Sequence, residues 1–142
     1  MRLFILATLS TIIMAVPAIA AGPCSGVDMQ LTEQRKVDYA NLIAQAFDKK
    51  LLVIESVGKK LKPSEVKIEN FMQAEKWTVV YASVPNSENG YFFFDSSSGT
   101  SKFKEVWGGY AQKSEIPEIK KWVLKLGANK IIASCFANTV TH

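Results

Sequence analysis

Apolar residues recur about every three to four positions between Val37 and Leu51, which is the spacing of one face of an α-helix. Thr32 precedes this stretch and suits the N-cap, because its hydroxyl can accept a hydrogen bond from an amide of the first turn. Glu33 follows it, where a negative charge is favourable. The pattern predicts a helix that begins after Thr32. Residues 51–57 are ambiguous, because their apolar run fits either an extension of this helix, which we favour, or a short buried strand.

The middle of the chain has the pattern of a β-sheet. Runs rich in aromatic and β-branched residues alternate with short segments of turn-forming residues. The predicted strands are residues 66–69, 77–84, 91–94 and 102–107. Because the connections between them are short, the pattern predicts an antiparallel meander of four strands. In one connection, Asn89 and Gly90 suit a backbone with positive φ.

The two-residue period of a strand also assigns side chains to faces. Trp77 and Tyr81 are expected on one face of the second strand, and Val80 on the other. Because both of these faces are largely apolar, this strand is expected to lie in the interior of the sheet. In the fourth strand the same period predicts that Phe103 and Trp107 share one face.

The last part of the chain returns to helical spacing. An apolar stripe runs from Ile116 to Leu126, and Gly127 follows it, where a helix commonly ends. Asn129 suits the N-cap of a second helix. An N-terminal helix, a four-stranded antiparallel meander and two C-terminal helices predict a two-layer α+β fold. We expect a single domain that spans residues 21–142.

The start of the chain has the three parts of an export signal. Arg2 supplies a positive charge, an apolar run begins at Leu3, and the small residues Ala18 and Ala20 precede the expected cleavage site. The apolar run is shorter than the roughly 20 residues that a membrane-spanning helix needs. We therefore expect residues 1–20 to be removed. The remaining chain is expected to be periplasmic or secreted, with no membrane span.

The chain after this signal contains two cysteines, Cys24 and Cys135. An even number of cysteines in an oxidising compartment favours disulfide formation, and two cysteines within one chain allow a single pairing. We expect a disulfide between Cys24 and Cys135 that ties the N-terminal segment to the last helix. The spacing of the two residues fits neither a metal site nor a C-x-x-C redox pair.

Composition and charge exclude several classes of protein. The 142-residue chain is 48% hydrophobic and 21% charged, which excludes a disordered or low-complexity protein. Its net charge of +4 is too small and too dispersed to indicate nucleic-acid binding. The only histidine is the terminal His142, a poor position for a catalytic base or a metal ligand. The sequence also lacks the common nucleophile and phosphate-binding motifs, so it predicts neither an enzyme nor a cofactor or metal site.

A candidate contact site lies at the end of the fourth predicted strand, in the segment Trp107-Gly108-Gly109-Tyr110. The two glycines end the strand and permit backbone conformations that other residues avoid. Tryptophan and tyrosine are favoured at interfaces, because each combines a large apolar area with a polar tip. In the alternative interpretation, which we favour, Trp107 packs under the C-terminal helices and the glycines merely turn the chain.

These observations lead to three hypotheses for function. We favour a small exported, non-catalytic binding or accessory protein, inhibitor-like or an envelope factor, whose partner is an unidentified protein or small ligand. The second hypothesis is a small-ligand carrier with an aromatic pocket, and the third is an enzyme that uses its scattered carboxylates. Tyr81, Tyr91 and Trp77 would enlarge the contact surface if they lay on an exposed face of the sheet.

Overall fold

The computed structural model describes residues 21–49 and 60–141. The predicted export signal at residues 1–20 and the ambiguous run at residues 51–57 lie outside the described residues. The described part of the chain forms helices and strands in the predicted order. Their bounds are α1 Glu33–Asp48, β1 Lys67–Ala74, β2 Trp77–Ser83, β3 Gly90–Asp95, β4 Lys102–Gly108, α2 Ile116–Lys125 and α3 Lys130–Val140.

Within the described residues, the strands form one antiparallel sheet in the order β1-β2-β3-β4, which confirms the predicted meander and the α+β fold. β1 is longer than the predicted strand at residues 66–69, since it continues to Ala74. A β-bulge accounts for the difference, because Ile68 and Asn70 are paired with consecutive residues of β2 and Glu69 is the extra residue between them. The bulge interrupts the regular alternation from which the strand was predicted.

The helices lie on both faces of the sheet, so the expected two layers are corrected to three. α1 covers one face, and α2 and α3 cover the other. The core beneath α1 contains the buried residues Tyr39, Ile43, Phe71, Val80, Phe92 and Phe94. The core beneath α2 and α3 contains the buried residues Met72, Val79, Phe93, Val123, Ile132 and Phe136. Successive residues such as Val79 and Val80 point to opposite faces, and a strand that is apolar on both faces needs cover on each side.

α1 begins at the predicted cap and is fixed to the sheet by a buried polar contact. Oγ1 of Thr32 accepts a hydrogen bond from the backbone N–H of Arg35 at 3.2 Å. In the core, the hydroxyl of Tyr39 donates to Oγ1 of Thr78 in β2 at 2.9 Å. Because both hydroxyls are buried, their pairing avoids the cost of leaving either one without a partner.

Both C-terminal helices begin as predicted, and α2 also ends as predicted. Pro117 lies in the first turn of α2, and Gly127 follows the cap residue Leu126. Oδ1 of Asn129 accepts from the N–H of Ile132 at 2.8 Å, which caps the start of α3. In the part of the chain that the structure describes, no helix combines the length and the apolar run that crossing a membrane would take.

Phe103 and Trp107 lie on opposite faces of β4, so the prediction that they share a face is wrong. The pairing between β3 and β4 shifts by one residue, and Lys104 is the extra residue of a second β-bulge. Phe103 packs against the core beneath α1, whereas Trp107 packs against the core beneath α2 and α3. The bulge reverses the alternation between these two aromatic residues.

A disulfide joins Cys24 to Cys135, as the cysteine count predicts. Cys135 is completely buried in α3, so the bond attaches the N-terminal segment over the core beneath α2 and α3. The same segment then pairs with β1, an outer strand of the sheet. The N–H of Asp28 donates to the carbonyl of Gln73, and the N–H of Gln73 donates to the carbonyl of Asp28, both at 2.9 Å.

Arg35 connects the N-terminal segment, α1 and β1. Its guanidinium forms an ion pair with Asp28, donates to Oε1 of Gln73 at 3.3 Å, and lies 4.2 Å from the ring centroid of Phe71. The hydrogen bond from Arg35 holds the pKa of the Asp28 carboxyl below its ordinary value of 3.8, with a smaller contribution from the N–H of Gln30. The start of the described chain is therefore fixed at a second point beside the disulfide.

Candidate binding groove

A row of four side chains crosses the sheet on the face that α2 and α3 cover. Tyr81 in β2 is paired with Asn70 in β1 and with Tyr91 in β3. Tyr91 is paired in turn with Trp107 in β4. Because directly paired residues of an antiparallel sheet point to the same face, these side chains are neighbours. The ring centroids of Tyr81 and Tyr91 are 4.6 Å apart, and that of Tyr91 is 5.2 Å from Phe136 in α3.

Trp107, the first residue of the candidate contact site, packs against the core beneath α2 and α3. It is half-buried, and its ring centroid lies 5.1 Å from that of Trp122 and 6.0 Å from that of Phe136. Its Nε1 is buried and has no hydrogen-bond partner among the described residues. The structure thus places Trp107 beneath the C-terminal helices, which is the alternative interpretation of this segment.

Tyr110, the last residue of the candidate contact site, lies on the surface. Gly109 has a φ of +83°, a conformation that residues with a side chain rarely adopt, and it turns the chain at the end of β4. The N–H of Ala111 then donates to the carbonyl of Val140 at the end of α3, at 3.2 Å. Tyr110 lies between Gly109 and Ala111, and 80% of its surface is exposed.

The connection between β2 and β3 lies next to this turn. The N–H of Ser87 donates to the carbonyl three residues earlier at 3.3 Å, and Asn86 has a φ of +58°. The positive φ therefore falls on Asn86 and not on Asn89 or Gly90. Glycine at position 90 has a different cause, because a Cβ there would lie 2.8 Å from Cγ2 of Val106 in β4. The close approach of β4 thus requires a residue without a side chain.

An open groove of about 460 Å³ lies between this connection and Tyr110. It is lined by Tyr81, Ser87, Glu88, Asn89, Tyr91, Gly109 and Tyr110, and we call it the tyrosine groove. Two of the aromatic residues predicted to enlarge the contact surface, Tyr81 and Tyr91, therefore join Gly109 and Tyr110 of the candidate site. The third, Trp77, is buried in the core beneath α2 and α3.

Gly108 lies outside the tyrosine groove. It ends β4 and lines a smaller groove of about 200 Å³ together with Phe47 and Phe92, whose rings belong to the core beneath α1. The four residues of the candidate contact site are thus divided: Trp107 in the core, Gly108 at this smaller groove, and the other two at the tyrosine groove.

Ser87, Glu88 and Asn89 also line the groove, although their sequence pattern predicts only a turn. The predicted topology nevertheless indicates that these three residues lie near the candidate contact site. In an antiparallel meander, the end of β2, the start of β3 and the end of β4 lie side by side, at the same end of the strands. The polar connection after β2 is therefore expected beside the glycines that end β4, and the structure places it there.

The tyrosine groove combines aromatic surface with a single negative charge. Burial raises the pKa of Tyr91 above its ordinary value of 10.0, and the nearby Tyr81 and Tyr110 raise it further, so its phenol is neutral at physiological pH. Glu88 supplies the one carboxylate among the described lining residues, which include no lysine or arginine. The remaining polar groups are the hydroxyl of Ser87 and the amide of Asn89.

Two observations on the described side chains concern metal binding and acid catalysis. Over residues 21–49 and 60–141, no group of three or more His, Cys, Asp or Glu side chains is placed to hold a metal ion. Hydrogen bonds from Arg35 to Asp28, and from Ser97 to Asp95, hold the pKa of each carboxyl below its ordinary value. A lowered pKa favours the charged carboxylate, whereas a general acid must keep its proton near neutral pH.

Comparisons with known proteins give no family for this chain. No family model matches its sequence, and neither a curated protein nor a solved structure is significantly similar to it. The interpretation of function therefore depends on the geometry and chemistry of the groove.

Proposed function

We propose that the protein is a small, non-catalytic binding protein and that the tyrosine groove is its contact site. The observation that carries this proposal is the position of Tyr110, which is 80% exposed beside a groove whose wall is formed by the sheet residues Tyr81 and Tyr91. A tyrosine has few rotatable bonds and a large contact area, so it loses little conformational freedom when it is buried by a partner. An accessory or inhibitory protein needs an anchor of this kind.

A small-ligand carrier is the second candidate, and the size of the tyrosine groove supports it. Small-molecule sites have volumes of about 300–1,000 Å³, and this groove has about 460 Å³. The space between the sheet and the C-terminal helices gives no such support, because it is filled by the completely buried side chains of Val79, Phe93 and Phe136. A carried ligand would therefore occupy the surface groove and not the interior.

Capture of a partner from envelope and secreted fractions of the source cells tests the proposal. Residues 21–142 are immobilised as wild type, as Tyr110→Ala and as Leu124→Ala. Leu124 is a matched control, because it is an exposed apolar side chain of α2 outside the groove. We expect a partner that wild type and Leu124→Ala retain and that Tyr110→Ala loses. Equal retention by Tyr110→Ala would contradict the assignment of the groove.

We also propose that the protein is exported to an oxidising compartment. The bond between Cys24 and Cys135 supports this, because disulfides persist outside the reducing cytosol. Intact-mass analysis of exported protein tests both steps. We expect a chain that begins at Ala21 and is two hydrogens lighter than its reduced form. Retention of residues 1–20 would contradict removal of the signal.

A further inference from the structure

We propose that the tyrosine groove binds an organic cation, which rests on the proposed role of this groove as the contact site. The three phenol rings would hold the positive group, and the carboxylate of Glu88 would balance its charge. The ligand class follows from the tyrosines and the carboxylate that line the groove. It follows also from the absence of lysine and arginine among the described lining residues.

Three tyrosines line one groove of modest size, which is an arrangement suited to a cation. The face of an aromatic ring carries negative charge density, so an ammonium or guanidinium group within about 6 Å of it is attracted. The ring centroids of Tyr81 and Tyr91 are 4.6 Å apart, and Tyr110 lines the same groove. Burial raises the pKa of Tyr91, so its phenol stays protonated at neutral pH and its ring attracts a cation as a neutral aromatic group.

The local charge of the groove has the sign that a cation requires. Among its described lining residues, Glu88 is negative and none is a lysine or arginine. The net charge of the whole chain is +4, which would repel a cation at long range. Charges farther away than about 8 Å are screened at physiological ionic strength, so the nearby carboxylate has the larger effect.

The shape of the groove fits the charged end of a molecule whose remainder lies outside. Its volume of about 460 Å³ is open to solvent, and the hydroxyl of Ser87 and the amide of Asn89 are among the polar groups that line it. Such a cation has two sources: a free quaternary ammonium compound, or the cationic side chain of a partner protein. Both sources place the same chemistry in the groove, and the experiment separates them.

Two pairs of probes test the proposal, and each pair differs in charge at nearly constant shape. The first pair is choline and its neutral isostere 3,3-dimethylbutan-1-ol. The second pair is N-acetylarginine methylamide and N-acetylcitrulline methylamide. Binding of each probe to residues 21–142 is measured by NMR titration of the tyrosine ring signals. We expect the charged member of at least one pair to bind at least about five-fold more tightly than its neutral partner.

Variants of exposed residues assign that preference to the groove. Tyr110→Leu keeps an apolar side chain without the aromatic ring, and Glu88→Gln keeps the shape without the charge. Each is expected to reduce the preference for the charged probe by about half or more. Glu118→Gln, which removes an exposed carboxylate of α2, is the matched control and is expected to leave the preference unchanged.

The outcomes test the ligand class and the proposed binding function separately. A preference for choline supports a free quaternary ammonium ligand, and a preference for the arginine probe supports a side chain of a partner. Charged and neutral probes that bind equally, or a preference that survives both Tyr110→Leu and Glu88→Gln, would overturn the cation site. If Tyr110→Ala still loses a captured partner in that case, the binding function stands and only its ligand chemistry is wrong.

Discussion

Trp107 and Trp122 meet edge to face, with ring centroids 5.1 Å apart and ring planes inclined at 63°. The contact joins β4, the outer strand on one side of the sheet, to α2. Nε1 of Trp107 is buried and has no hydrogen-bond partner within residues 21–49 and 60–141. The packing of the indole therefore stabilises the fold. Its N–H reduces that stabilisation, because a buried donor without a partner costs free energy.

Truncation of Trp107 is expected to destabilise the protein. Trp107→Ala should lower the free energy of unfolding by about 2–4 kcal/mol, somewhat below the value for a fully buried tryptophan, because the ring is only half-buried. Trp107→Phe should cost less than half as much, since it keeps an aromatic ring and removes the unpaired N–H. Urea denaturation of the two variants beside wild type measures both effects. A loss below about 1 kcal/mol for Trp107→Ala would show that the ring is not a core residue.

Gly109 is expected to be needed for the position of Tyr110. Its φ of +83° is costly for a residue with a Cβ, so Gly109→Ala should lower the free energy of unfolding by about 1–2 kcal/mol. Gly108→Ala is the matched control, because Gly108 has no positive φ and a Cβ there meets nothing within 4 Å. It should change stability by less than about 0.5 kcal/mol. If urea denaturation shows the same loss in the free energy of unfolding for both variants, the turn does not depend on the positive φ of Gly109.

The disulfide is expected to contribute a large share of the stability. Cys24 and Cys135 are separated by 111 positions, so their bond restricts a long loop in the unfolded chain. Replacing both by alanine should lower the free energy of unfolding by about 2–4 kcal/mol. Wild type under reducing conditions serves as the comparison, and it should lose a similar amount. A double variant as stable as the oxidised wild type would contradict this expectation.

The ion pair between Asp28 and Arg35 is expected to weaken in acid. The pKa of Asp28 is lowered in the folded protein, so its contribution is complete above the unfolded-state pKa and is lost as the pH falls through the folded-state value. Below about pH 4, the free energy of unfolding of wild type should therefore fall more steeply than that of Asp28→Asn. Asp38→Asn, at an exposed position of α1, is the control for the loss of one carboxylate. Denaturation at several pH values between neutral and about 2 measures the difference.

Local signals were sufficient to predict where α1 and α3 begin. Thr32 and Asn129 cap α1 and α3 through contacts with residues three positions away, so the sequence around them contains all the necessary information. The contacts of Arg35 with Asp28 and Gln73 were not predictable in this way. Gln73 lies 38 positions from Arg35, and only the folded sheet brings the two together.

The faces of the sheet show where the sequence patterns were insufficient. The apolar residues on both sides of β2 already implied cover on each face, yet nothing in the sequence assigned α1 to one side and α2 with α3 to the other. The bulge at Lys104 depends on how β4 pairs with β3, so the alternation of β4 alone gave the wrong face for Phe103. For the groove, Tyr81, Tyr91 and Tyr110 were identified, and the loop at Ser87–Asn89 was not.

The bulge at Lys104 has a consequence for contacts between copies of the protein. β4 is an outer strand, and a regular outer strand offers a continuous row of backbone groups on which another chain can add a strand. The extra residue interrupts this row, and Lys102 places a positive charge beside it, whereas Lys104 forms an ion pair with Asp95 in β3. A second copy that approached in the same way would meet an irregular ladder and like charges. The feature that moves Phe103 to the other face therefore also protects the sheet against edge-to-edge aggregation.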